Sequence, residues 1–143
     1  MARHPTVQRF QNRLTELGLD ADVEELDLPP QDSSCRHSWH LYAPRLKLEL
    51  LEIDRSEFIQ ELRARGIGAS VHFIPIPLHP CYARYESLGS KHCPKAMELY
   101  PRLVSLPLYP AMTEDQVRFV ASVVKEVVWA AKKTKQLPTS PPC

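Results

Sequence analysis

Apolar positions along this chain fall into two rhythms, and the switches between them mark the elements. Over residues 5–17 the apolar residues Val7, Phe10, Leu14 and Leu17 share one face of a helix. Pro5 suits its first position, and Gly18 supplies a left-handed stop. Residues 22–28 alternate weakly through Val23, Leu26 and Leu28, which predicts a short edge strand before Pro29 and Pro30, with QDSSC as a polar linker. Over residues 38–51, Trp39, Leu41 and Ala43 oppose His40 and Tyr42. Leu46, Leu48 and Leu50 then alternate with Arg45, Lys47 and Glu49. The period of two predicts a strand, and Pro44, which has no N–H for a ladder, places an edge position or a bulge within it.

The next segment changes period. Asp54 and Glu57 have capping-box spacing, and Phe58, Ile59 and Leu62 form the buried stripe of a helix that stops at Gly66. Residues 67–74 return to alternation, with Val71 and Phe73 on one side and Ser70, His72 and Ile74 on the other. A short helix is predicted over 92–100 with Ala96, Met97 and Leu99 inward, and a third strand over 103–108. Thr113 and Gln116 repeat the capping box. The helix they open aligns Val117, Val120, Val124, Val127, Val128 and Ala131 as a stripe able to cover a sheet. After Lys132 the sequence is polar and proline-rich, the composition of a disordered tail. This order predicts an α+β fold: a small, mostly antiparallel sheet covered by helices on one face, with an added N-terminal helix. It divides the chain into an N-terminal helix, strand and linker over 1–35, a domain over 36–131 and a tail over 132–143.

Bulk properties narrow the function classes. A chain of 143 residues, 43% hydrophobic, can bury one modest core. Lysine and arginine total 18 against 17 acidic residues, a net charge of +1, and no basic run is long enough to track nucleic-acid phosphates. The longest apolar runs, such as 117–131, are broken by charges before the roughly 18 residues of a membrane span. MARHPTVQRF lacks the apolar block of a signal peptide, and the reading is cytoplasmic. Cys35, Cys81, Cys93 and Cys143 are widely spaced, without CxxC pairing, so reduced thiols are expected. The 14 prolines cluster over 29–30, 75–80, 107–110 and 138–142, which marks loops and the tail.

Candidate chemistry concentrates over residues 65–82, RGIGASVHFIPIPLHPCY, where a helix stop, a strand and a proline-stiffened loop follow one another. A strand histidine is ordinarily a hydrogen-bonded structural residue. Here Pro75, Pro77 and Pro80 fix three φ angles, so the chain can present His79 and Tyr82 with little entropy left to lose on binding. His72, His79 and Tyr82 are therefore the candidate substrate-binding residues of a ligand wall. His37, His40, His72, His79, Cys81, His92 and Cys93 could each ligate a metal, but their spacing argues against a site. His37 and His40, three apart on extended chain, point to opposite faces, and neither Cys81 nor Cys93 has a second cysteine two residues away. Neither thiol has a helix-start context that would lower its pKa. Among four glycines only Gly66 and Gly68 are close, which makes no phosphate cradle. No catalytic, cofactor-binding or metal-binding residue is assigned.

Three motifs carry a resemblance. HSWHLY from His37, RSEFIQELRARGIGASVHFIPIPLHPCY from Arg55 and SLPLYPAMTEDQVRFV from Ser105 resemble the C-terminal small domain of the DegT/DnrJ/StrS-type sugar aminotransferases. The similarity runs from about residue 36 to residue 128. These are pyridoxal-phosphate (PLP) enzymes that aminate keto sugars attached to nucleotides. The resemblance implies a small domain packed on a large cofactor domain, with residues 70–82 facing the active-site mouth. It puts His72 near the cofactor or sugar and His79 and Tyr82 near the substrate's rim. Trp39, His40 and Tyr42 would pack in the strand returning from the large domain. Transamination needs a lysine amine to hold PLP and shuttle the proton, and the family carries that lysine on its large domain. None of the lysines at 47, 91, 95, 125, 132, 133 and 135 matches the lysine motif. Cys81 also departs from the aromatic residue that commonly precedes the tyrosine. No cofactor is expected on this chain alone, and PLP is implied for the full-length family.

Residues 4–29 also resemble the opening helix and strand of YbaK-type aminoacyl-tRNA editing domains, without any of their functional residues. The leading expectation is a stand-alone or truncated small domain of a nucleotide-sugar aminotransferase, inactive unless another chain supplies the cofactor domain. The alternatives are a non-catalytic interaction module that forms a homodimer or binds a partner protein, and a remnant of a tRNA-editing domain.

Overall fold

A computed structural model describes residues 23–30, 34, 40–85 and 91–133. The helix expected over 5–17, the linker with Trp39 and the tail from 134 lie outside them. Strand β1 (Leu26–Asp27) pairs antiparallel with β2 (Arg45–Leu46), with Leu26 opposite Leu46 and Asp27 opposite Arg45. Single antiparallel bridges extend the sheet: Tyr42 to Leu106, Arg45 to Leu103, and Ser70 to Ser105. Four segments thus lie side by side in the order 26–27, 42–46, 103–106 and 70, and β1 takes the edge expected of it.

Pro44 is not at an edge or a bulge. It is buried between bridges to the 103–106 segment, where Val104 N–H donates to the Pro44 carbonyl at 3.2 Å. Proline returns no donor, so the ladder forgoes one bond there. Tyr42 is buried at 2% exposure while Leu41 and Ala43 are half-buried, so the core side of this segment is Tyr42, Pro44 and Leu46. The predicted strand also stops early, because Leu48–Leu50 form a 3-10 turn. Leu50 N–H closes that turn on the Lys47 carbonyl, and Leu51 then bridges Lys132 at the far end of the chain's last helix.

Helix α1 (Arg55–Ala64) begins at Asp54, whose Oδ1 accepts from Ser56 N–H at 2.6 Å and Glu57 N–H at 2.9 Å. Glu57 reciprocates by accepting from Asp54 N–H at 2.8 Å. These bonds satisfy N–H groups that a helix start otherwise leaves open. Gly66 ends α1 with φ +82°, and Ile67 N–H returns to the Leu62 carbonyl. Helix α2 (Pro94–Leu99) is a surface turn: Ala96 is exposed, and Met97 and Leu99 are half-buried, against the expectation that all three face inward. Six residues starting at a proline give it no apolar stripe. Helix α3 (Glu114–Ala130) carries the second capping box, formed by Thr113 and Gln116.

The core lies where α1 and α3 meet each other and the sheet. Phe58, Ile59 and Leu62 of α1 join Val117, Val120, Val124, Val127 and Val128 of α3 and Leu46, Val104 and Leu106 of the sheet. Each such side chain contributes about 1.5–3 kcal/mol by leaving water. The architecture is α+β, an antiparallel sheet backed by helices. Among the described residues, no helix is long and apolar enough to cross a membrane.

Candidate functional site

Gly66 turns the chain out of α1, and residues 67–71 come alongside the sheet. The only bridge made there is at Ser70, whose N–H donates to Ser105 O at 3.1 Å and whose carbonyl accepts from Ser105 N–H at 2.8 Å. Beyond Ser70 the chain leaves the sheet, so the strand expected over 67–74 is reduced to one bridge. The reason lies just ahead, where Pro75 and Pro77 offer no donors and the chain folds into 3-10 turns at Ile76–Leu78 and Pro80–Tyr85. Phe73, expected to share the side of Val71, is instead 79% exposed.

The loop that follows is held by its own hydrogen bonds. Leu78 N–H donates to Pro75 O at 2.9 Å, His79 N–H to Ile76 O at 3.1 Å and Tyr82 N–H to His79 O at 2.8 Å. His79 Nε2 lies 3.2 Å from the Ile74 carbonyl. A carbonyl can only accept, so Nε2 carries the proton and the neutral ring keeps Nδ1 as an acceptor. His79 and Tyr82 therefore belong to one rigid turn. His72 stands at the other end of the loop, half-buried, with its ring edge-on to Phe73 at 4.8 Å between centroids. No hydrogen bond joins it to His79 or Tyr82 among the described residues. Its Nδ1 is buried and has no hydrogen-bond partner there. An unpaired buried nitrogen costs free energy unless a further group reaches it.

The sequence did not single out the apolar side of this loop. Phe73, Ile74, Ile76 and Tyr82 are 79%, 47%, 67% and 45% exposed. The signal was available, because residues 69–82 contain no Lys, Arg, Asp or Glu. Cys81 and Cys93 are free, exposed thiols. Among the described residues, no group of three or more His, Cys, Asp or Glu side chains could hold a metal ion.

A second feature missed by pattern reading is Glu25, 1% exposed beneath β1, with Lys132 Nζ at 2.6 Å from its Oε1. Burial pushes this carboxyl up, but the Lys132 ammonium, the residue's own backbone and more distant Lys47 together hold it below the usual range. The hydrogen bond to Glu25 raises Lys132 correspondingly.

The lysines decide whether PLP fits these residues. Lys47 pairs with Asp27, Lys132 with Glu25, and Lys133 Nζ donates to the Leu48 and Glu49 carbonyls. Lys125 lies over the Trp129 ring, and Lys91 and Lys95 are exposed. None of these described amines is buried or placed beside His72, so the described residues do not form a PLP site, and no chemical step is derived through that cofactor.

These features define a small α+β domain with a projecting, uncharged loop and no amine placed for cofactor chemistry. The model of the DegT/DnrJ/EryC1/StrS aminotransferase family matches residues 2–125, and the chain belongs to that family. Uncharacterized protein MJ1066 of Methanocaldococcus jannaschii is 41% identical over 107 residues, which cover 75% of this chain and 28% of that protein. Spore coat polysaccharide biosynthesis protein SpsC of Bacillus subtilis is 41% identical over 97 residues, covering 67% of this chain and 25% of SpsC. Among solved structures, S. venezuelae DesV in complex with a ketimine intermediate superposes with a TM-score of 0.67 at 28% identity, covering 85% of this chain and 31% of DesV. The chain thus spans between a quarter and a third of the relatives it matches.

Proposed function

We propose that this chain is the C-terminal small domain of a PLP-dependent nucleotide-sugar aminotransferase, and that residues 72–82 are its contribution to the substrate site. In this reading His72 meets the sugar or cofactor through its unpartnered Nδ1, and His79 and Tyr82 line the rim, offering a ring acceptor and a phenol. The observation that carries the reading is the loop itself. It is pre-folded, apolar and uncharged, with one buried nitrogen left without a partner, which suits a surface completed by another domain. Family membership supports the reaction class. The family match takes in residues 4–29 as well, which favours the aminotransferase family over an editing domain as their source.

The Schiff-base lysine must then come from outside the described residues, and the 143-residue chain is not catalytic by itself. The test is incubation of the chain with PLP, borohydride reduction and mapping of the modified amines by mass spectrometry. The expected result is sparse labelling spread over surface lysines. Stoichiometric labelling of one lysine, with a stable absorbance band of bound PLP, would overturn the claim that catalysis needs a separate cofactor domain. Adding a PLP-loaded large domain of SpsC should give an activity or a complex that His72→Ala weakens. A complex indifferent to His72→Ala, His79→Ala and Tyr82→Ala would remove the proposed site.

A further inference from the structure

We propose that the loop of residues 73–82 is a self-association surface, through which two copies of this chain meet about a two-fold axis. Among the described residues the exposed large apolar side chains are Phe73, Ile74, Ile76, Tyr82, Tyr109, Phe119 and Trp129. The first four fall within ten consecutive positions, while the other three are spread over α3 and the segment before it. Contiguous exposed apolar surface of this kind marks an interaction site, whereas single exposed residues do not.

A second copy is the occupant this surface suits. With no Lys, Arg, Asp or Glu over residues 69–82, it lacks the charges by which proteins commonly keep like surfaces apart. Two such loops facing each other bring no formal charges together, as a self-complementary two-fold interface requires. The turns closed by Pro75, Ile76 and His79 carbonyls are already formed, so pairing orders little additional chain. Taking about 150–250 Å² for a whole aromatic side chain and somewhat less for isoleucine, the four exposures correspond to on the order of 400 Å² of apolar surface per copy. The pair would bury roughly 800 Å² from these side chains, and the flanking prolines add to it. That total belongs to weak, transient association, so the dimer forms with a dissociation constant in the micromolar range. The inference concerns the chain by itself and does not rest on the aminotransferase reading. A cofactor domain covering the same loop would compete with the second copy.

Sedimentation velocity of the full chain from low micromolar to near millimolar concentration, with and without Phe73→Lys, tests the proposal. The expected result is a monomer–dimer equilibrium that Phe73→Lys weakens by more than about tenfold, while Phe119→Lys leaves it unchanged. Phe73 is 79% exposed, so the substitution leaves the fold intact by circular dichroism. If that variant misfolds, Ile76→Lys, at a residue 67% exposed, provides the same readout. Amide resonances of residues 73–82 should also broaden as concentration rises. A monomer at every concentration, or a dimer broken by Phe119→Lys and not by Phe73→Lys, would overturn it.

Discussion

Leu62 has no exposed surface and packs where α1 meets α3, a position where lost methyl groups leave a cavity that rigid neighbours close only in part. Leu62→Ala should cost about 2–5 kcal/mol, read as a shift in urea midpoint at unchanged slope. Phe119→Ala, at a residue half exposed, should stay within about 0.5 kcal/mol. Glu25 behaves differently, because its contribution depends on charge. Its carboxyl is held below the ordinary value of 4.5, so the stabilisation is present above that value and is lost as the pH falls through the lower folded-state pKa. Glu25→Gln should therefore flatten the acid side of the stability profile, measured as urea midpoint against pH. Removing the ammonium instead, by Lys132→Met, should destabilise at neutral pH and raise the Glu25 pKa, since a buried carboxylate would remain uncompensated. Hydrophobic periodicity identified Leu62 and could not identify Glu25. A glutamate beside a second glutamate reads as solvated surface until Lys132 arrives from more than 100 positions away.

Elements were legible where their instructions are local. Both capping boxes, the Gly66 stop and the stripe of α3 follow from spacings of three and four residues, and each is in place. Thr113→Ala should cost about 1 kcal/mol of stability. Gly66→Ala should cost about 1–2 kcal/mol from the left-handed backbone alone, because a Cβ there meets nothing within 4 Å. Gly66→Asn should cost less, since asparagine tolerates that conformation, and thermal unfolding of the pair would separate backbone strain from packing. Strand lengths were not legible, because alternation over 46–50 and 71–74 says which residues could line a face and nothing about whether a neighbour is there to bond. The chain around Leu48 bonds instead to the end of α3, and Pro75 ends the approach at Ser70. In the same way, the periodicity that placed Ala96 inward had no facing element to bury it.

At the scale of the whole molecule, three residues of the candidate site were readable from one stretch of sequence because the loop folds on itself, and its hydrogen bonds join neighbours. The loop's outward apolar face was harder to foresee, since a pattern rule assigns apolar residues to the inside of whatever chain is at hand. A domain of this family need not be its own inside.

Lys132 has one more consequence. Its backbone bridges Leu51, its side chain clasps Glu25, and the next amide, Lys133 N–H, donates to the Leu50 carbonyl at 3.0 Å. The smallest unit that folds cooperatively should then reach from Val23 to Lys133, wider than the boundaries at 36 and 131 drawn from composition. Limited proteolysis should leave a resistant fragment ending beyond Lys133. A chain shortened to stop at residue 131 should be digested far faster than one stopping two residues later.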